Sequence, residues 1–561
     1  MQNGNVKIEE LFNGDRIFNI PKYQRAYAWE KDNLEIFYDD LKNQRGAKDY
    51  FFGTLLFHQR ENMGEYECYD VVDGQQRLTT IIIFLKVLIG KLLEKGSILV
   101  SKKTYQRYIY DEYAFKLEMQ NEDTSFLHEY ILGKNEDVQI KYETPAQRKL
   151  KDAKDYFIGI LSNRTVEELE RLFTILKASD VILYVVNDIS DATHIFELLN
   201  DRGRQLTKLE EIKSFLMYRI SCLDIKNNNQ PIDDIQNAFS YIYRIIESSN
   251  LNEDDVLRYH TIAFENSLTD DYDKPSKYIK RKINNYFEEQ ADDVLIKKEI
   301  LTYVSNLKDS FTLSNDINKN IDDNRDLDRL FMIERVNPFY PLLMHMKKNN
   351  PEELYDFIKD LVQFTFRSSL IGLRNNNESF YHYIREHKDY RNIFKIIVKE
   401  NWWNINNRVN EFINYNNYYV WINSNIVKFI LFEYENHLRE TKGFPLLTIN
   451  EYFSTDRRKK LSIEHITARK SKLNFKEAFN EEFLHSIGNL VIDTVSSNSR
   501  KGNDLVTDKE KEYGIAPLMS QNEINDYTVN WNNLKDIKLF IKEREKRMRS
   551  FIRTILLKES V

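Results

Sequence analysis

DVVDGQQRLTT, residues 70–80, changes conformational character within a few positions. Asp70 to Asp73 ends a β-branched run that reads as a strand. Gly74 permits a sharp turn, and Gln75, Gln76 and Arg77 stand ahead of an apolar run, Leu78 to Leu93, of helical length. Strand, turn and helix are predicted in that order. Just upstream, YFFGTLLFH (50–58) and YECYDVV (66–72) are aromatic and β-branched, with Asn62 and Gly64 between them, so a β-hairpin should lead into the helix. Downstream, VILYVV (181–186) adds a strand, and helical patterns follow at 191–200 and 207–220. An α/β domain over residues 1–225 is the result.

The chain changes beyond it. From 204 to 442 the sole glycine is Gly372, while Leu, Ile, Phe and Tyr recur at three- and four-residue spacing. Strands and turns need more punctuation, so residues 226–440 are expected to be mostly helical, with asparagine-rich loops at 227–229 and 404–417. Residues 441–561 differ again. GFPLLTI (443–449), LSIEHI (461–466) and GNLVI (488–492) look like short strands. A helix at 536–557 closes the chain, with Ile537, Phe540, Ile541, Met548, Phe551, Ile552 and Ile555 forming one apolar stripe that leaves its basic side chains free. The fold class is thus mixed α/β and mainly α.

Composition narrows the function. With 561 residues, 42% apolar and 30% charged, the chain reads as a soluble protein of two or three domains. It has no apolar run of membrane-spanning length and no signal-type N-terminus, from which a cytoplasmic protein without a membrane partner is expected. Cys68 and Cys222 alone exclude a disulfide framework or a four-cysteine zinc site. The net charge of -7 argues against wholesale polyanion binding, yet the basic residues cluster: Arg457 to Lys460, and eight Lys or Arg from Lys538 to Lys558. Each run could neutralise phosphate or could be a solvated face.

Three polar strings interrupt apolar segments of the first domain. IPKYQRAYAW (20–29) sets Arg25 among Tyr23, Tyr27 and Trp29. DGQQR places Asp73, Gln75, Gln76 and Arg77 at a helix N-terminus, where N–H groups and the helix dipole attract anions. FELLNDRGRQLTKLEEIK (196–213) carries Asn200, Arg202, Arg204 and Lys213. Structural alternatives stand beside each: Arg25 stacked on its aromatics, DGQQR as a helix cap, Gly203 ending one helix and Thr207 capping the next. Spacing alone supports an anion-binding turn.

The three strings in this order, over roughly residues 8–220, resemble the N-terminal domain shared by GmrSD-like type IV restriction enzymes, BrxU and SspE, a domain related to the ParB and sulfiredoxin fold. The resemblance implies binding and hydrolysis of a nucleoside triphosphate, GTP or ATP. It makes Asp73, Gln75, Gln76 and Arg77 the phosphate-handling loop, with Arg25 and Lys213 as neighbours. Gln76 and Arg77 are the stronger assignments.

The C-terminal region contains SIEHI, GNLVIDTVSSN and GNDLVTDK between 462 and 509. A ββα-metal nuclease needs a histidine base, a polar residue to hold it, and ligands that place a divalent cation on the scissile phosphate. His465 suits the base, Asn489 the holder, and Asn498 the helix-borne metal ligand, with Glu464 as carboxylate partner and second metal ligand. The alternative is a histidine exposed in a strand and two turn asparagines. EHI, GNL, Asn498, Asn503 and Lys509 resemble the HNH nuclease domain that accompanies the N-terminal domain in GmrSD-like enzymes. Departures from that pattern are Asn498, where an HNH motif has histidine, and Glu464, since the residue beside the histidine is not always glutamate. A neutral asparagine oxygen favours a loosely held Mg²⁺ or Mn²⁺ over Zn²⁺. Lys501, Lys509, Arg457 and Arg458 are expected to contact DNA.

The function expected is a nucleotide-regulated, modification-dependent endonuclease of antiphage defence, acting on double-stranded phage DNA by a one-metal HNH mechanism. Two alternatives remain: a regulatory nucleic-acid-binding protein with a degenerate HNH domain, and an RNA-directed toxin nuclease. The sequence leaves the modification, the nucleotide and homo-oligomerisation open.

Overall fold

The computed structural model describes residues 3–559 apart from 45–50, 112, 120–122, 134–140, 188–206, 225–228, 250, 266–273, 320–323, 335, 374–391, 416, 422–423, 468–481 and 503–505. The chain divides into two compact units, residues 1–261 with 269–315, and residues 262–268 with 316–561. The helical residues from 226 onward are shared between them.

In the first unit, strands β1 (Gly4–Lys7), β2 (Arg16–Ile20), β3 (Phe51–Gln59), β4 (Glu67–Asp73), β5 (Leu117–Met119) and β6 (Asp180–Val186) form a mixed sheet in the order β1-β6-β3-β4-β2-β5. The hairpin read from 50–58 and 66–72 is the antiparallel pair β3 and β4, with Gly64 in its turn at φ 62°. Strand β2 runs parallel to both β4 and β5, and β3 parallel to β6. Helix α1 (Lys31–Lys42) precedes the hairpin; α2 (Gln75–Glu94), α3 (Pro145–Ser162) and α4 (Val166–Ala178) follow it. Every residue of α2 from Leu78 to Leu85 is buried, as a helix apolar on all sides requires. Phe84 meets Phe37 of α1 at 5.6 Å and Phe157 of α3 at 5.0 Å, between ring centroids. Helices α5 (Lys208–Ser221) and α6 (Asn229–Ser248) belong to a second core in this unit. Thr207 caps α5, accepting from the Glu210 N–H. The helical pattern at 191–200, and with it Asn200, Arg202, Gly203 and Arg204, lies outside the described residues.

The second unit is mainly helical. Residues 404–417 correct the expectation of a loop, because α7 (Ile405–Ile413) occupies most of them. Ile405, Val409 and Ile413 recur every four residues and are buried, while Asn401 and Asn404 take the left-handed backbone before the helix, which asparagine tolerates. Helix α8 (Ser424–Lys442) follows. GFPLLTI is also corrected: no strand forms there, since Pro445 lacks an N–H and the Asn436 side chain bonds both the N–H (2.8 Å) and carbonyl (3.1 Å) of Leu447. The other two strand readings are β7 (Leu461–His465) and β8 (Leu490–Thr494), an antiparallel pair with His465 opposite Leu490. Helices α9 (Val495–Lys501) and α10 (Val506–Gly514) come next, and α11 (Leu534–Phe551) carries the closing stripe. That stripe ends before Ile555, which is 42% exposed.

Candidate functional site

The β7–β8 pair is held from below by charge. Glu464 Oε1 accepts from Lys509 Nζ at 2.7 Å, and Asp493 Oδ2 from Lys501 Nζ at 3.0 Å; all four side chains are almost fully buried. Lys501 also donates to Gln521 Oε1 at 2.9 Å and lies over the Tyr513 ring. Burial raises the Glu464 carboxyl above its usual range against the opposing pull of Lys509, and raises the Tyr513 phenol well above its own. This corrects the DNA-contact expectation for Lys501 and Lys509. Two lysines that read as surface cations are internal counter-ions, because a buried carboxylate requires one.

Helix α11 fixes the turn before β8. A Cβ on Gly488 would lie 2.2 Å from the Ile541 carbonyl oxygen, so only glycine permits the approach. Arg544, fully buried, donates from Nη1 to the carbonyls of Gly488 (3.0 Å) and Leu490 (2.6 Å), bracketing Asn489. The expectation that this helix leaves its basic side chains free therefore fails at Arg544. Arg547, Arg549 and Arg553 pair with Glu523, Glu545 and Glu559.

Asn489 in turn orders the segment after the histidine. Its backbone carbonyl accepts from the Ile466 N–H at 2.9 Å, its Oδ1 from the Thr467 N–H at 2.9 Å, and its Nδ2 donates to the Leu484 carbonyl at 2.8 Å. Asn489 holds the backbone beside His465. The imidazole has another partner that sequence reasoning missed: His465 Nε2 lies 3.2 Å from His485 Nδ1. Tyr419 stacks on His485, with ring centroids 5.5 Å apart and planes at 17°, and meets His465 edge-on at 4.8 Å. The Tyr418 N–H donates to the His485 carbonyl, tying that segment in place. His465 is 7% exposed, which excludes the reading of an exposed strand histidine.

Asn498 donates from Nδ2 to Ser462 Oγ and to the Ile463 carbonyl, each at 3.1 Å, which leaves its Oδ1 without a partner among the described residues. That contact sits two to three residues before His465, roughly 7–10 Å along the strand. Arg457 to Lys460 are exposed and form no ion pair among the described residues; the Arg457 and Lys460 carbonyls accept from Ser496 and Val495 at the start of α9. Asn503 lies outside the described residues.

Among the described residues no three His, Cys, Asp or Glu side chains converge to hold a metal. The oxygen donors are Asn498 Oδ1 and a Glu464 carboxylate already paired with Lys509. This set does not fit a resident Mg²⁺ or Mn²⁺ cage; it fits a weakly held cation that takes most of its ligands from water and substrate phosphate.

In the first unit, the DGQQR side chains bind backbone. Gln75 Nε2 donates to the Arg25 carbonyl (2.7 Å), Gln76 accepts from the Ala28 N–H (2.8 Å) and donates to the Ala26 carbonyl (3.0 Å), and Arg77 Nη1 donates to the Phe52 carbonyl (2.9 Å). Lys213, buried on α5, donates to the Tyr23 carbonyl at 3.1 Å, and burial pushes its ammonium down to about 8. Gly74 takes φ 86°, and a Cβ there would lie 2.3 Å from Leu55 Cδ2. Having no side chain, it leaves the first turn of α2 without a side-chain cap. Asp73 is raised by burial and lowered by Arg77. The Arg25 guanidinium makes no hydrogen bond or salt bridge among the described residues; its charge acts on Glu247, Glu253 and Tyr243. Gln76 and Arg77 are thus engaged with main-chain groups, whereas the Arg25 guanidinium has no hydrogen-bond partner among the described residues.

A mixed-sheet unit clamped at a strand–turn–helix motif, joined in one chain to a unit with a histidine at the end of a strand pair, defines a two-part α/β class of protein. The family model of the GmrSD restriction endonuclease N-terminal domain matches residues 8–217, and that of the GmrSD restriction endonucleases' C-terminal domain matches residues 404–550. The chain belongs to this GmrSD-like type IV restriction family. No curated protein matches it. Among the described residues no helix is long and apolar enough to cross a membrane.

Proposed function

We propose that the protein is a nucleotide-regulated, modification-dependent endonuclease of prokaryotic antiphage defence that cuts double-stranded phage DNA at the β7–β8 site. The observation that carries this reading is His465, set at the end of β7 by Asn489 and by its contact with His485. His465 takes a proton from water as the water oxygen bonds to phosphorus; the bond from phosphorus to the leaving strand oxygen breaks, and that oxygen takes a proton from solvent. Mg²⁺ or Mn²⁺, bound with Asn498 Oδ1 and substrate phosphate as ligands, would supply charge neutralisation at the phosphate. Arg457 and Arg458 attract the DNA backbone, and their exposure supports that role.

GTP or ATP is assigned to the uncapped start of α2, with Arg25 as the phosphate-facing cation. Gln75, Gln76, Arg77 and Lys213 shape the loop that carries Arg25. Nucleotide regulates cutting only if it binds the active and inactive arrangements with different affinity.

Bacteria expressing the protein, challenged with phages of unmodified, glucosylated and phosphorothioate DNA, test the reading. Selective loss of plating on one modified phage, abolished by His465→Ala, is the expected result. Equal plating on all of them removes the defence function. The Glu464–Lys509 pair favours a second reading, nucleotide-driven DNA binding without cutting, because it neutralises the carboxylate that precedes His465 in the strand. Purified protein that binds the restricted DNA and never nicks it, with Mg²⁺ or Mn²⁺ present, would select that alternative.

A further inference from the structure

We infer that the cavity between Trp29 and the first turns of α3 is a guanine-recognition site, in which Arg148 and Asp152 read the edge of the base and aromatic rings hold its faces. This role rests on the nucleotide reading proposed above.

The cavity lies wholly within the first unit, holds about 1050 Å³, and is lined by three aromatic residues, Trp29, Tyr142 and Tyr156. Each has a buried ring behind it: Trp29 meets Phe37 at 6.3 Å, Tyr142 meets Phe126 at 6.1 Å, and Tyr156 meets Phe157 at 5.5 Å, between centroids. These contacts orient the rings, and Tyr142 stays 41% exposed. Trp29 Nε1 finds no hydrogen-bond partner among the described residues. Such walls suit a planar, polar ring of nucleobase size, since stacking on aromatic side chains needs only a π face.

The charges discriminate between bases. Most that line the cavity are already paired: Lys149 with Glu30 at 2.9 Å, Lys31 with Glu35 at 3.5 Å, and Asp155 with Lys151. The side chains of Glu143, Arg148 and Asp152 are exposed and make no ion pair or hydrogen bond among the described residues. Arg148 and Asp152 stand one turn apart on α3, with Cβ atoms roughly 5–6 Å from each other on the same face. A free guanidinium beside a free carboxylate matches a ligand edge with two acceptors next to two donors. Guanine offers O6 and N7 to the arginine fork, and N1–H and N2–H₂ to the carboxylate. Adenine has one exocyclic amine and no O6, and a pyrimidine has no N7. Free carboxylates also repel phosphate, so the cavity suits the base and not the triphosphate.

The placement agrees with a nucleotide. Trp29 follows Arg25 by four residues, at most ~14 Å of extended chain, and Gln76 fixes the backbone between them through Ala26 and Ala28. One clamped loop thus carries the phosphate-facing cation and the first aromatic wall. The facing wall is fixed by Thr144, which caps α3, and by the Glu143 N–H donating to Gln147 Oε1 at 2.8 Å.

Titration calorimetry of the full chain with Mg²⁺ and GTP, ITP, ATP or inorganic triphosphate tests the assignment; ITP is GTP without the 2-amino group. Wild type should bind GTP about tenfold or more tightly than ITP or ATP. Arg148→Met and Asp152→Asn, both at exposed positions, should each bring GTP to within about threefold of ATP, while inorganic triphosphate binds as it does to wild type. Equal wild-type affinity for GTP, ITP and ATP, or a GTP preference untouched by both substitutions, overturns the guanine assignment and leaves the nucleotide reading standing. A wild type that binds neither GTP nor inorganic triphosphate removes the nucleotide reading and the guanine site with it. A guanine-containing single-stranded oligonucleotide separates the two sources of the base. If its affinity falls in the variants while that of GTP does not, the base is drawn from DNA and the free-nucleotide assignment is overturned.

Discussion

The two polar motifs of this chain use their side chains in opposite ways. In the DGQQR unit Gln75, Gln76 and Arg77 all bond to main-chain groups of neighbouring segments, and the cation left over, Arg25, comes from the loop they clamp. In the β7–β8 unit the charged residues Glu464, Asp493, Lys501 and Lys509 are buried as ion pairs, and His465 meets His485 at the strand end. One motif acts by shaping a loop and the other by supporting a strand end. In the first, the residues most conspicuous in sequence hold the main chain; in the second, two lysines that read as surface cations do the holding.

The contrast can be broken most sharply at the supported residue. His465→Ala should reduce cleavage by roughly 10²- to 10⁴-fold, as loss of a general base does. Because His465 is buried, the thermal midpoint of the variant must be measured alongside, and wild-type cutting by a folded variant would end the claim that this strand end is catalytic.

Next in size is the buried support itself. Lys509→Ala strands Glu464 without its counter-ion and should cost about 3–5 kcal/mol in denaturant unfolding of the second unit. The double variant Glu464→Gln with Lys509→Met should regain most of that loss. If the single variant unfolds at the wild-type denaturant concentration, the pair is not a structural support and Glu464 becomes available as a ligand.

A smaller effect is expected at the clamp. Gln76→Ala removes both bonds to the 26–28 backbone and leaves buried polar groups unmet, at about 1–3 kcal/mol. Titration calorimetry with GTP and ATP should show weaker binding in Arg25→Ala than in wild type while the thermal midpoint stays the same. The reverse pattern, with stability lost in Arg25→Ala and affinity lost in Gln76→Ala at constant stability, would exchange the two roles.

A further effect concerns pH. Burial holds Lys213 at about 8 against an ordinary 10.5, so between these values the unfolded chain binds more protons than the folded one. Stability from this group therefore rises with pH across that window. Comparing the wild type with Lys213→Met at pH 7, 8, 9 and 10 should show the wild type gaining on the variant as pH rises. Parallel curves would mean that the ammonium is not desolvated.

Local pattern determined much of the architecture. The β-branched run into Gly74 and the unbroken apolar stretch after it encode β4, the turn and α2, because chain conformation there follows from residues within a few positions of one another. The same holds for the β3–β4 hairpin, for β6, and for the order β7, β8, α9, in which β7 carries His465, α9 carries Asn498 and Asn489 sits in the turn before β8. Where partners are distant, sequence was silent or misleading. His485 reaches His465 from 20 residues away, Lys509 reaches Glu464 from 45, and Arg544 reaches Gly488 from 56. A lysine in a helix has the same local signature whether it faces water or a buried carboxylate. Only folding, by bringing that carboxylate out of water, decides which it is, since an unpaired buried charge is too costly to persist.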